Sequence, residues 1–242
     1  MKRALVSTLA MAVATGAALA QQADFADIAR QLTAPTSDRM IFLAGLLTIL
    51  SLAPGIMLMV TSFTRIVVVL SILRTGIGLQ STPANMILIS LALFMTAFIM
   101  APTLERAYRD GMQPLMEKKI SEAEAIQKVI LPFREFMQTQ VREKDLRLFQ
   151  DLSGAPAPQN PSEVELRILV PAFMISELRR GFEIGFMIVI PFLIIDLIVA
   201  TIVMSMGMMM MPPSVISLPL KIMFFVLIDG WYLLVGTIVR SF

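Results

Sequence analysis

Residues 184–213 read IGFMIVIPFLIIDLIVATIVMSMGMMMMPP. The first twenty carry one charge, Asp196. As a helix rising about 1.5 Å per residue they reach roughly 30 Å, the thickness of a bilayer's hydrocarbon core. The last ten hold six methionines and stop at two prolines. This stretch reads as an apolar helix followed by a methionine-rich loop, and it sets the class of the chain.

Composition agrees. The chain has 242 residues, 57% hydrophobic and 16% charged, with mean hydropathy +0.78. A soluble domain carries about 25% charge. We expect an all-α integral membrane protein with bent or broken apolar helices and a small polar helical module. There are no cysteines and no histidines. That excludes disulfides, thiolate or imidazole metal sites and cysteine or histidine nucleophiles. No side chain titrates near neutrality without a large shift.

Outward from the opening stretch, the chain divides by composition. Residues 1–20 read as a signal peptide, with Lys2 and Arg3 ahead of an apolar run and Ala18-Leu19-Ala20 as the cleavage site. Its removal leaves 18 basic against 18 acidic residues, so net charge argues for no nucleic-acid partner. Residues 21–39 are a polar lead-in. Residues 40–104 form a first apolar helical pair. Its run from Met40 to Leu73 is too long for one straight crossing and is broken at Pro54-Gly55. Either the two pieces make a hairpin, or the segment crosses once and projects.

Residues 105–183 differ in kind, with 12 of the 20 basic and 13 of the 18 acidic residues. Ser121-Glu122-Ala123-Glu124 and Ser162-Glu163-Val164-Glu165 are capping-box patterns. Apolar residues from Phe133 to Leu152 recur near helical spacing, and 153–161 is a loop. This is the polar helical module. Residues 184–242 are a second apolar helical pair joined by the methionine loop, 204–213. Cleavage after Ala20 puts the polar module on the outer, periplasmic side and the Arg74 loop inside, as the positive-inside bias prefers.

Arg65, Asp196, Lys221 and Asp229 sit among apolar residues. A bare charge at bilayer depth is costly, so we expect buried polar contacts between helices or subunits. Glu177 and Lys221 each begin a hydrophobic stretch on the same expected side, and we expect an ion pair between them, within or between subunits. Two aspartates on two helices raise an intramembrane aspartyl protease as an alternative. Neither stands in a Gly-x-Gly-Asp or Tyr-Asp context. A small-solute transporter would show internal repeat symmetry, and the two apolar pairs show none.

Two segments carry a resemblance. Pro171 to Phe186, PAFMISELRRGFEIGF, and Pro219 to Trp231, PLKIMFFVLIDGW, resemble the signature segments of the FliP family of flagellar type III export-gate membrane proteins, to which injectisome proteins are related. The signal peptide, the four apolar blocks, the charged module and the methionine loop fit the same family. The resemblance implies a non-enzymatic, pore-forming subunit that passes unfolded flagellar proteins across the bacterial inner membrane at the flagellar basal body. It implies a homo-oligomer with FliQ and FliR, working with FlhA and FlhB inside the basal-body ring. It also implies helices that splay, with apolar segments buried in other subunits rather than in lipid.

The methionine loop has three readings. Thioethers favour Cu(I), but copper sites usually add histidine or cysteine, and this chain has neither. No metal or cofactor is expected. Incidental enrichment is the plain reading, since the chain has 20 methionines. The third is a gasket. Unbranched, polarizable side chains from several subunits close a pore and yield to a passing chain. The resemblance supports the third for Met206, Met208, Met209, Met210 and Met211.

Overall fold

The computed structural model describes residues 44–45, 47–48, 51, 55–79, 81–154, 164–207 and 211–242. The expected signal peptide and lead-in, the break at Pro54, the second capping box at Ser162-Glu163 and Met208 to Met210 lie outside the described residues. The chain divides into two compact units, Met1–Pro54 and Gly55–Phe242. In the first, Thr48 Oγ1 donates to the Ala44 carbonyl at 2.7 Å, a helical back-bond.

The second unit is helical wherever it is regular, and the described residues contain no strand. Helix α1, Phe63–Ile77, is its centre. Ile66, Val69, Leu70, Leu73 and Ile77 are buried at helical spacing. The helix stops at Gly78, whose φ of 94° is left-handed. The Gly78 amide donates to Thr75 O and that of Leu79 to Arg74 O, the Schellman pattern that satisfies the last carbonyls. The first apolar block therefore contributes a buried central helix to this unit. Its 15 residues reach only roughly 22 Å.

Helix α2, Asn85–Met116, is 32 residues long. It runs through a π-helical turn at Tyr108–Met112, just before Pro114, which has no amide hydrogen to donate. Gly111 in that turn packs closely, and a Cβ there would stand 2.5 Å from Val129 Cγ2. Helix α3, Glu122–Gln140, begins where the capping box placed it, with the Glu124 amide donating to Ser121 Oγ at 3.3 Å. Helix α4, Glu143–Ser153, follows. The apolar spacing from Phe133 to Leu152 thus covers two helices. The chain turns at Val141 and Arg142, both extended. Ser176 holds that corner, accepting from the Arg142 amide at 3.0 Å and donating to Asp145 Oδ2 at 2.7 Å.

Helix α5, Leu166–Ser205, is continuous for 40 residues. The boundary expected at 183/184 falls inside it, as 104/105 falls inside α2. A change from charged to apolar composition does not end a helix, because Glu, Arg and Leu all have good helix propensity. Arg179 and Glu183, one turn apart and joined at 2.7 Å, support it instead. Its Gly181 and Gly185 let α1 approach. A Cβ at Gly181 would meet Val68 at 3.1 Å, and one at Gly185 would meet Ile72 at 2.7 Å. Gly76 of α1 does the same toward Val189 of α5, at 2.4 Å. Small residues four apart on one face permit this contact.

The last apolar block is two helices, α6, Ser214–Leu227, and α7, Gly230–Arg240, bent by 66°. Asp229 makes the bend, with φ 53° and ψ 52°. Aspartate tolerates this region better than most side chains. Gly230 must follow, because a Cβ there would stand 2.2 Å from the Phe225 ring. By length and composition α2 and α5 are each long and apolar enough to cross a membrane, and the bent pair makes a third such span if it crosses once.

Candidate functional site

Two polar nodes are set into this apolar bundle. The first centres on Arg65, in the first turn of α1, with no exposed surface. Its guanidinium has five N–H groups. Nε donates to Glu177 Oε2 at 3.0 Å and Nη2 to Glu177 Oε1 at 2.5 Å, a bidentate pair. Nη2 also reaches Gln140 Oε1 at 2.9 Å. Nη1 donates to the Ser241 carbonyl at 2.6 Å and to Ser241 Oγ at 3.0 Å. The Phe242 ring lies over the guanidinium, its centroid 3.7 Å from Cζ, and stacks on Phe136. Arg180 Nη1 donates to Gln140 Oε1 at 2.7 Å, and Gln140 Nε2 to the Phe242 carbonyl at 3.1 Å. One buried cation thus ties α1, α3, α5 and the segment after α7 together.

The second node is Lys221 of α6, 5% exposed. Its ammonium pairs with Asp196 of α5 and donates to the Gly76 carbonyl at 3.0 Å, at the end of α1. A cation there also meets the negative end of the helix dipole. The Asp196 side chain keeps 40% of its surface. It opens on a pocket of about 830 Å³ lined by Thr75, Thr82, Ser214 and Ser217 among others.

The ion pair expected between Glu177 and Lys221 is not made within the chain. Glu177 takes Arg65 and Lys221 takes Asp196, because each finds an opposite charge on the helix packed directly against it. Asp229, expected among the buried polar residues, is exposed at the bend. It stands eight residues beyond Lys221, the partner of Asp196, roughly 12 Å along the helix direction. Met206 is 65% exposed and Met211 42% exposed, flanking the part of the loop that is not described. Gly207, directly after Met206, has φ 74°.

Sequence reasoning missed Gln140, Arg180, Ser241 and Phe242. Gly181-Phe182-Glu183-Ile184-Gly185 was the one available signal that α1 and α5 approach closely, and it lies next to Glu177.

Comparison with known proteins gives the family. Residues 46–238 match the model of the FliP family. A flagellar biosynthetic protein FliP of Rhizobium meliloti (strain 1021) is 62% identical over 200 residues, 82% of each chain. That of Agrobacterium fabrum (strain C58 / ATCC 33970) is 54% identical over 244 aligned positions, the full length of both. That of Bacillus subtilis (strain 168) is 54% identical over 197 residues, 81% of this chain and 89% of the relative. With the match spanning both signature segments, both polar nodes and the stems of the methionine loop, the chain belongs to the FliP family.

Proposed function

We propose that this chain is a non-enzymatic, pore-forming subunit of the flagellar protein export apparatus. Family membership supports the export role. The observation that carries the subunit reading is the apolar surface left open on the two longest helices. On α2, Met86, Phe94 and Phe98 are 73%, 75% and 68% exposed, and on α5, Phe186, Met187 and Leu197 are 60%, 70% and 69% exposed. Patches of this kind mark contact with lipid or with other membrane subunits. The proposed partners are further copies of this chain, FliQ and FliR, with FlhA and FlhB nearby, in the inner membrane at the basal body. The polar module faces the periplasm in this reading. Unfolded flagellar proteins pass through.

Met206 and Met208 to Met211 form the gasket. Copies of the loop meet around a shared axis, their thioethers filling the lumen without a fixed shape. Glycine and paired prolines bound the loop on either side. The test replaces Met208 to Met211 by alanine in the assembled complex. Ion leakage through the membrane with export retained is the expected result. A membrane as tight as wild type overturns the gasket.

A further inference from the structure

Arg74 is the only charged residue between Arg65 and Glu105. It lies in the last turn of α1. Its Nη1 holds the following connector, through Asn85 Oδ1 and, at 3.5 Å, the Pro83 carbonyl. Among the described residues no carboxylate neutralises it, and Nε and Nη2 have no acceptor. Lys221, the other cation at this end of the bundle, is matched by Asp196. Arg74 is therefore the one positive charge there left uncompensated by the described chain.

Beside it is an apolar cavity of about 300 Å³. Its wall includes Arg74 itself, Leu73, Leu88, Phe225, Val226 and Trp231. Capping α1 and holding the connector account for Nη1, but not for a guanidinium set at the edge of an apolar cavity. An uncompensated cation beside an apolar cavity, with a tryptophan in the wall, matches an amphiphile with an anionic head and a hydrocarbon tail. A helix, roughly 10 Å across with its side chains, is too thick for this space. Free phosphate gains nothing from the apolar walls. A single acyl chain fits both features.

We propose that Arg74 and this cavity bind an anionic phospholipid, the phosphate on Nε and Nη2 and one acyl chain among Leu73, Leu88 and Phe225. The inference rests on reading the chain as a membrane subunit. It agrees with the inward placement expected for the Arg74 loop from its charge, on the side where the leaflet carries anionic lipid.

The experiment is native mass measurement of the gently extracted complex, equilibrated with phosphatidylglycerol or with phosphatidylethanolamine. Wild type retains phosphatidylglycerol in preference. Arg74→Gln lowers that retention about tenfold, as expected for losing a hydrogen bond to a charged group. Arg74→Lys keeps part of it. Val226→Trp, in the cavity wall, fills the space and lowers retention with Arg74 intact. Equal retention of the two lipids overturns the proposal, as does unchanged retention in Arg74→Gln. Displacement of the lipid by millimolar inorganic phosphate also overturns it, because the site would then recognise the anion alone. Ion leakage measured on the same variants keeps the question apart from the gasket: lipid loss with a tight membrane supports this site whatever the methionines do.

Discussion

Arg65 and Glu177 face each other through two contacts, 3.0 and 2.5 Å long, with neither side chain exposed. One belongs to the central helix and the other to the longest. Desolvating two charges is costly, and only a fully satisfied geometry offsets that cost. Here the geometry is satisfied, since Gln140 and Ser241 take the remaining guanidinium donors.

The two partners are therefore coupled. Arg65→Ala or Glu177→Ala leaves a buried charge without its counter-charge and lowers stability by about 3–5 kcal/mol. The double replacement Arg65→Met with Glu177→Leu is milder than either single change. Thermal unfolding of the detergent-extracted protein checks the order. A double mutant worse than both singles would show that the node's value lies in the charges themselves.

Gly185 and Ile72 form a second coupled pair. Gly185→Ala places a methyl group 2.7 Å from Ile72 Cδ1 and 3.0 Å from its Cβ, so α1 and α5 must separate. Overpacking of this kind costs about 1–3 kcal/mol. Ile72→Ala in the same chain restores most of it. Melting temperature and yield of assembled complex are the measurements, and no recovery in the double mutant would refute the close approach.

Asp196 and Lys221 are joined but unequal. Lys221 is almost enclosed, while Asp196 keeps contact with a large pocket. Asp196→Asn keeps an amide oxygen as acceptor but removes the counter-charge of an almost enclosed ammonium, and costs about 1–3 kcal/mol. Lys221→Met puts an apolar side chain in the enclosed position and leaves the aspartate to turn toward water, at about 1 kcal/mol or less. Chemical denaturation of the two variants ranks them, and the reverse ranking would contradict the burial described.

Ser121 is a smaller and more local case. Ser121→Ala removes the acceptor for the Glu124 amide and costs about 1 kcal/mol, while Ser121→Asp keeps an acceptor and is near neutral. Hydrogen exchange should quicken at the first turn of α3 and not in α5.

What could be read from the chain followed from patterns with a local cause. Ser121 and Glu124 announced the start of α3, and the run from Ile184 to Val203 announced a membrane-length helix. Breaks with a non-local or unusual cause were not legible. The bend at Asp229 needs a left-handed aspartate and a Phe225 ring seated where only Gly230 fits. The corner at Val141 is stabilised by Ser176, distant in sequence. The polar nodes were half legible. Hydropathy isolated Arg65, Lys221 and Asp196 as charges needing partners, but the choice of partner depends on which helices touch. That choice is set by glycines at 76, 181 and 185, whose neighbours appear only in three dimensions.

Helix α5 has a mechanical consequence. Its 40 residues reach roughly 60 Å, about twice the hydrocarbon thickness, without interruption. Ser176 fastens one half to the polar helices, and the other half ends as a stem of the methionine loop. The two ends share one continuous backbone, and Pro171 and Pro191, neither with an amide hydrogen to donate, are the places along it where it bends most easily.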